Sequence, residues 1–142
     1  MTFEDFLNKF SSQVTSSHRN GNRLFFYVRD KDLPAIARFL FQELGCRLST
    51  STGAEVYDGL EVTHHFSDDR RGRYFCPTVK MARGKPEMPS ITGITRAASW
   101  IEREIHDLFG IVFLGHPNPA PLLKEDNKGM AETPLRHARK KQ

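Results

Sequence analysis

Between Ser99 and His116 the chain reads SWIEREIHDLFGIVFLGH, and no other stretch restricts the fold as much. Charged and apolar residues follow a helical spacing there. Phe109-Gly110 closes the run, because glycine takes the left-handed C-terminal conformation without strain. Ser99 is placed to cap this helix, its hydroxyl accepting from the backbone N–H three residues on. Glu102 reaches back to the N–H of Ser99, which completes a capping box. The predicted helix is short, about nine or ten residues. Ile111, Val112, Phe113 and Leu114 then form an apolar strand, and Gly115-His116-Pro117 turns the chain.

At about 100° per residue, Trp100, Ile101, Ile105 and Leu108 share an apolar arc, with Glu102, Arg103, His106 and Asp107 outside it. Glu104 projects inside the arc, between Trp100 and Ile101. A carboxylate aimed into an apolar face is costly unless a cation or N–H groups meet it. Two outcomes stay open: Glu104 bends outward at the rim, or an Arg from elsewhere in the chain or from a partner receives it. Arg103 and Asp107 stand four apart and are placed to pair on the exposed face, which is worth only ~0.5 kcal/mol.

Ahead of this stretch, Thr2 and Asp5 make a capping box for a first helix carrying Phe3, Phe6, Leu7 and Phe10. Val14 to His18 reads as a strand, Asn20-Gly21-Asn22 as a turn, and Arg23 to Val28 as a second strand in mid-sheet or buried on both faces. Asp32 is placed to cap a second helix with Pro34 in its first turn. Its buried stripe is Leu33, Ile36, Ala37, Leu40, Phe41 and Leu44, and Gly45 stops it. Extended segments follow at Arg47 to Thr52, Glu55 to Phe66 and Arg73 to Met81. Leu60, Val62, His64 and Phe66 face one way, and Glu61, Thr63 and His65 the other. Pro77 argues for an edge strand or a bulge. Arg83 to Pro89 reads as a basic loop without core residues, and Ser90 to Ala98 as holding one helical turn. The order of elements predicts an α+β fold, a two-layer sandwich with helices packed on a mixed sheet. Residues 1–117 form the single α+β domain, and residues 118–142 an irregular basic C-terminal tail.

At 142 residues the chain has room for a core without staples. It has no apolar run near the ~20 residues a membrane helix needs, and MTFEDF does not read as a secretory signal. Cys46 and Cys76 are far apart, so zinc or iron–sulfur ligation by this chain is not expected, and free thiols fit a cytosolic setting. The net charge is +4 and the pI about 9.3. Such a balance is compatible with nucleic acid, an anionic membrane surface or an acidic protein partner. Part of the excess lies in Arg70-Arg71-Gly72-Arg73, after Asp68-Asp69, and part in His137 to Lys141. Charge runs of this size read as solvated surface.

Chemistry-bearing patterns are sparse. His64 and His65 are neighbours on a strand and point to opposite faces, so they cannot hold one metal, and His64 reads as a hydrogen-bonded core residue. No G-x-S-x-G, G-x-G-x-x-G or P-loop is present, and neither Cys has a His nearby in sequence. Arg71-Gly72-Arg73-Tyr74-Phe75 loosely resembles the aromatic platform of RRM domains, which keeps a small RNA-binding α+β domain as the alternative reading.

Trp100 to Ile111, then Phe113 and Gly115-His116-Pro117, resemble the motif of the thirty-kilodalton subunit of respiratory complex I. The same family supplies the small soluble subunit of energy-converting [NiFe] hydrogenases. Leu60-Glu61-Val62 with His64, Pro89-Ser90-Ile91-Thr92, Leu122-Leu123 with Glu125-Asp126, and Pro134-Leu135-Arg136 agree with it. The likeness spans Leu60 to Arg136. It departs at Pro119-Ala120-Pro121, where the family tends to place a basic residue, and in the short tail, which tilts the reading toward the hydrogenase-type or another stand-alone branch. The resemblance implies a non-catalytic scaffold subunit of a peripheral arm, an accessory part of an oxidoreductase, with no catalytic residue, cofactor or metal of its own. It implies docking on the large catalytic subunit and neighbouring iron–sulfur subunits. The membrane is then reached only through other subunits, on the cytoplasmic side, and no nucleic acid is expected. Carried over, Trp100, Glu102, Arg103, Glu104, Asp107, Phe109, Gly110, Phe113, Gly115, His116 and Arg136 hold the local fold and present the contact surface. Glu104 is then expected to pair with an Arg, with Arg136 as the candidate.

Overall fold

The structure is a computed structural model and describes residues 1–117. A five-stranded sheet has the order β1-β2-β5-β4-β3, and a small two-stranded sheet pairs β6 with β7. Helix α1 (Phe3–Lys9) starts from the predicted capping box: the Asp5 N–H donates to Thr2 Oγ1, and the Thr2 N–H donates to Asp5 Oδ2. Strands β1 (Val14–Asn20) and β2 (Arg23–Val28) are antiparallel about the Gly21 turn, at φ 62°. Strand β2 lies in mid-sheet but is buried on one face only.

Helix α2 (Leu33–Arg38) runs on into a wide π-type turn at Phe39–Glu43, closed by the Leu44 N–H on the Phe39 carbonyl. That extra residue rotates Phe41 out of the stripe, and it is 37% exposed, while Leu33, Ile36, Ala37 and Leu40 are fully buried. Asp32 does not cap the helix; its carboxylate accepts from Arg29 Nε at 3.0 Å. Strands β3 (Arg47–Val56) and β4 (Gly59–Asp68) form a hairpin about Tyr57-Asp58, so the segment read as continuous from Glu55 to Phe66 is divided by a turn. Gly59 is required there, because a Cβ would collide with the Met81 carbonyl oxygen.

Strand β5 (Arg73–Met81) is central, parallel to β2 and antiparallel to β4. Pro77 therefore marks neither an edge nor a bulge. Having no N–H to donate, it leaves a gap in the β4–β5 ladder between the Thr63–Thr78 and Phe66–Phe75 pairs, with the register unchanged. The loop read as lacking core residues contains β6 (Glu87–Pro89), whose Met88 is fully buried. Helix α3 (Ala98–Phe109) and β7 (Val112–Leu114) complete the described chain.

The core lies between the helices and one sheet face. Leu24, Phe26, Phe75, Val79, Phe66 and Val62 point into it, and the α1 rings Phe3 and Phe6 pack edge-on or tilted against Phe75 and Phe26. Phe75 is thus wholly buried, while adjacent Tyr74 faces the other way under Arg23, 4.1 Å from its ring. The pair cannot serve as a stacking platform, which removes the residues on which the RNA-binding alternative stood. The fold is the predicted α+β sandwich on a mixed sheet.

Candidate functional site

The site is built by α3, the loop before it and β7. Thr95 and Arg96 carbonyls accept from the N–H groups of Ala98 and Ser99, so a turn feeds directly into the helix. The helix begins at Ala98, earlier than expected, with Ala97 at the cap position and no side-chain cap. The predicted Ser99–Glu102 capping box is therefore absent. Glu102 turns instead toward the Ser90–Thr92 loop. Its Oε1 accepts from Ser90 Oγ at 2.5 Å and Thr92 Oγ1 at 3.1 Å, and its Oε2 from the Ile91 N–H at 2.9 Å. Burial raises its pKa, and these three donors oppose that rise. A carboxylate only 1% exposed is tolerable because its acceptor sites are filled.

The buried stripe of α3 is Ala98, Glu102, Ile105 and Phe109, an i, i+4, i+7, i+11 series. Phe109 packs on β3 so closely that a Cβ on Gly53 would fall 2.8 Å from its ring. Trp100 is on the opposite side and 60% exposed. Counting Trp100 as a core residue shifts the inferred inner arc toward the solvent side of the helix and carries Glu104 inward with it. In the structure Glu104 is exposed, and the acids that are buried are Glu102 and Asp107. Asp107 is fully buried, so the exposed Arg103–Asp107 pair is also corrected. Arg103 leans over the Trp100 ring, with Cζ 5.8 Å from its centroid. Arg136, expected to receive Glu104, lies outside the described residues.

Gly110 ends the helix at φ 74°, its N–H on the His106 carbonyl, as predicted. Two imidazoles then staple the return. His106 Nδ1 is 2.8 Å from the Ile111 carbonyl, and His116 Nε2 is 2.9 Å from the Ser99 carbonyl. Parallel pairing to β6 fixes β7, with the Val112 N–H on the Pro86 carbonyl and the Ser90 N–H on the Leu114 carbonyl. Period-2 alternation buries Phe113 and exposes Val112 (45%) and Leu114 (50%). Gly115, at φ 86°, turns the chain away. Arg103, Val112 and His116 line one small cavity, which makes the Trp100–Arg103 pair continuous with β7. Val112 and Leu114 were missed as surface residues because IVFL reads as uniformly apolar. The Ser90 and Thr92 hydroxyls around Ile91 were the available signal for the Glu102 clamp.

Other reactive groups are quiet. Burial pushes the thiols of Cys46 and Cys76 up to about 12 and about 11, so both stay protonated. His64 Nδ1 is 2.6 Å from Ser51 Oγ, but full burial drives its pKa down to about 3, too weak a base to activate a hydroxyl at neutral pH. Among the described residues no three His, Cys, Asp or Glu side chains converge on a metal-sized point, and no helix is long and apolar enough to cross a membrane.

The family described as respiratory-chain NADH dehydrogenase, 30 Kd subunit, matches residues 26–142. The C subunit of NADH-quinone oxidoreductase from Geotalea uraniireducens is 27% identical over 124 residues, 84% of this chain and 75% of that protein. Its counterpart from Rhodobacter capsulatus is 33% identical over 77% of this chain and 56% of its own length. The C/D subunit of the same enzyme from Phocaeicola vulgatus is 38% identical over 71 residues, 49% of this chain and 14% of that protein. Against most of these relatives the chain therefore spans only part of their length. A trypsin-resistant fragment (1-134) of Nqo5 shares the fold with a TM-score of 0.69 at 23% identity, covering 83% of this chain and 99% of the fragment. A chain of the membrane-bound sulfane sulfur reductase, an archaeal respiratory membrane complex, gives 0.67 at 20% identity, over 93% of this chain and 76% of that one. By this match over most of its length, the chain belongs to the respiratory-chain NADH dehydrogenase 30 Kd subunit family.

Proposed function

We propose that this chain is a non-catalytic scaffold subunit of a complex I-like or energy-converting hydrogenase assembly. It docks on the large catalytic subunit through the outer side of α3 and the exposed edge residues of β7. The observation that carries this reading is the patch of Trp100, Arg103, Val112 and Leu114. Trp100, Val112 and Leu114 stand in solvent, with the partly buried Arg103 beside them, on a unit made rigid by the Glu102 clamp and two histidine staples. Aromatic and Arg side chains on a pre-formed surface are the usual anchors of interfaces, and rigidity lowers the ordering cost of binding. The relatives named C/D support a partner subunit of the same enzyme, since a C portion and a D portion joined in one polypeptide are held as neighbours. Iron–sulfur subunits are the further neighbours in this reading, and the chain reaches the cytoplasmic side of the membrane through its partners.

Phe113, being buried, contributes by shaping β7 rather than by contact. In the same reading residues 1–117 are the folded unit and residues 118–142 a basic tail. Limited trypsin digestion then trims the tail and leaves a fragment ending at Lys124, the first tryptic site after Arg103. The docking test replaces Trp100 and Leu114 by Ala in the native host and measures recovery of the large subunit with the tagged chain. Loss of recovery with an unchanged thermal midpoint supports the surface; full recovery with both variants sinks it.

A further inference from the structure

One end of the main sheet gathers arginines that the docking surface does not use. Strands β1 and β4 end there, and β2, β3 and β5 begin there. A cavity of about 340 Å³ opens between the Asn20–Asn22 and Asp68–Gly72 turns, lined by Thr2, Arg19, Asn22, Arg71 and Arg73, with Glu4 on its wall. The two turns are tied together. Asn22 Nδ2 donates to the Gly72 carbonyl at 2.9 Å, and the Tyr74 N–H donates to the Asn22 carbonyl at 2.9 Å. The cavity is thus formed before any ligand arrives.

Its cations are held in place. Arg19 donates from Nε to the Gly21 carbonyl and lies over the Phe3 ring, with Cζ at 5.0 Å. Arg73 lies 5.4 Å from the same ring and donates from Nε to Asp68 at 3.0 Å. Asp68 also takes Arg71 Nη1 at 3.5 Å. Two features point to a missing acceptor. The Nη2 of Arg73 is buried, and among the described residues no hydrogen bond reaches it. A buried donor of this kind is costly unless something fills it. Moreover, three guanidinium groups and one carboxylate, Glu4, line the cavity, so its walls favour an anion. A planar carboxylate matches the paired N–H groups of a guanidinium.

We infer that this pocket receives the carboxylate of an Asp or Glu side chain presented by an adjoining subunit, as a second contact separate from the α3 surface. The inference rests on reading the chain as a subunit of a larger complex, since that is what brings a protein carboxylate to the pocket. Arg73 fixes the depth of the site and Arg19 and Arg71 form its mouth. Arg71 is half-exposed, and a guanidinium at the rim speeds encounter with an acidic partner as well as holding it.

The test uses R71K in the complete complex purified from the native host. A zero-length carbodiimide joins a lysine amine, but not an arginine, to a carboxylate in contact with it, with loss of water. The expected result is a cross-link from position 71 to an Asp or Glu of another subunit, absent in the wild type. A cross-link confined to this chain's own acids, Glu4, Asp68, or Glu125 and Asp126 of the tail, overturns the inference, as does no cross-link at all. If the chain does not co-purify with any complex, the subunit reading fails and this inference with it. If it co-purifies and position 71 stays unlinked, only this inference fails. As a second measure, the R19Q/R71Q double variant should leave the complex about tenfold faster at moderate salt, with the thermal midpoint of the isolated chain unchanged. Unchanged release overturns the inference and leaves the α3 surface standing.

Discussion

On the inner side of α3, Glu102 is 1% exposed and holds three donors from the Ser90–Thr92 loop, while Phe109 closes against Gly53. On the outer side, Trp100 is 60% exposed, with Arg103 over its ring and Glu104 beside it in solvent. The same twelve residues thus meet two unlike surroundings. Glu102 is satisfied within the chain, and removing it leaves buried donors without partners. Trp100 holds apolar area in solvent, and its loss costs the isolated chain little. The difference shows that burial of a polar group, not its charge, marks what the fold depends on here.

Changes on the inner side should therefore reach furthest into stability. Glu102→Ala strands the Ile91 N–H and two hydroxyls and opens a cavity, so urea unfolding should lose about 3 kcal/mol. A loss under about 0.5 kcal/mol would put the clamp on the same footing as the surface. Beneath α3, His64 gives a pH signature. Unfolded, it takes a proton near pH 6.5; folded, only near pH 3. In that window the unfolded chain binds the extra proton, so stability is full above pH 6.5 and falls as pH drops. The loss is about 2 kcal/mol between pH 7 and 5. His64→Leu should flatten this part of the pH profile, which denaturation at several pH values will read.

Gly53→Ala probes the contact between β3 and α3 directly. The Phe109 ring must move to admit the methyl, at a cost of about 1 kcal/mol in thermal or urea unfolding. On the outer side, Trp100→Ala should shift unfolding by less than about 0.5 kcal/mol while lowering recovery of the large subunit. Equal effects of Trp100→Ala and Glu102→Ala on the isolated chain would erase the distinction between the sides. Smallest of all, Glu104→Gln should leave the thermal midpoint where it is, because the carboxylate is already in water. A marked drop would restore the buried pair that the family resemblance implied.

Local chemistry made several elements legible beforehand. The Thr2–Asp5 capping box, the Gly21 turn, the Gly110 stop and the alternation from Leu60 to Phe66 each depend on neighbours in sequence, and each is present. The π-type turn that expels Phe41 was not legible, because it arises from how α2 meets the core. Nor was the central place of Pro77. A parallel partner on one side and a tolerated gap in hydrogen bonding on the other are set by strand order, which no local pattern encodes. In the candidate site, the motif positions were found by resemblance, but their sides were misread because Trp100 is large and apolar yet faces solvent.

Residue order alone was enough for the α+β class, most element boundaries and the family-type stretch from Trp100 to His116. These follow from periodicity, caps and turns, which act over a few residues. Long-range packing was needed to settle which acid of α3 is buried and which residues of β7 reach the surface. It also settled that arginines from β1 and β5 meet in one pocket. Glu102 goes inside because the Ser90–Thr92 loop brings donors to it, and nothing in its immediate neighbours distinguishes it from Glu104.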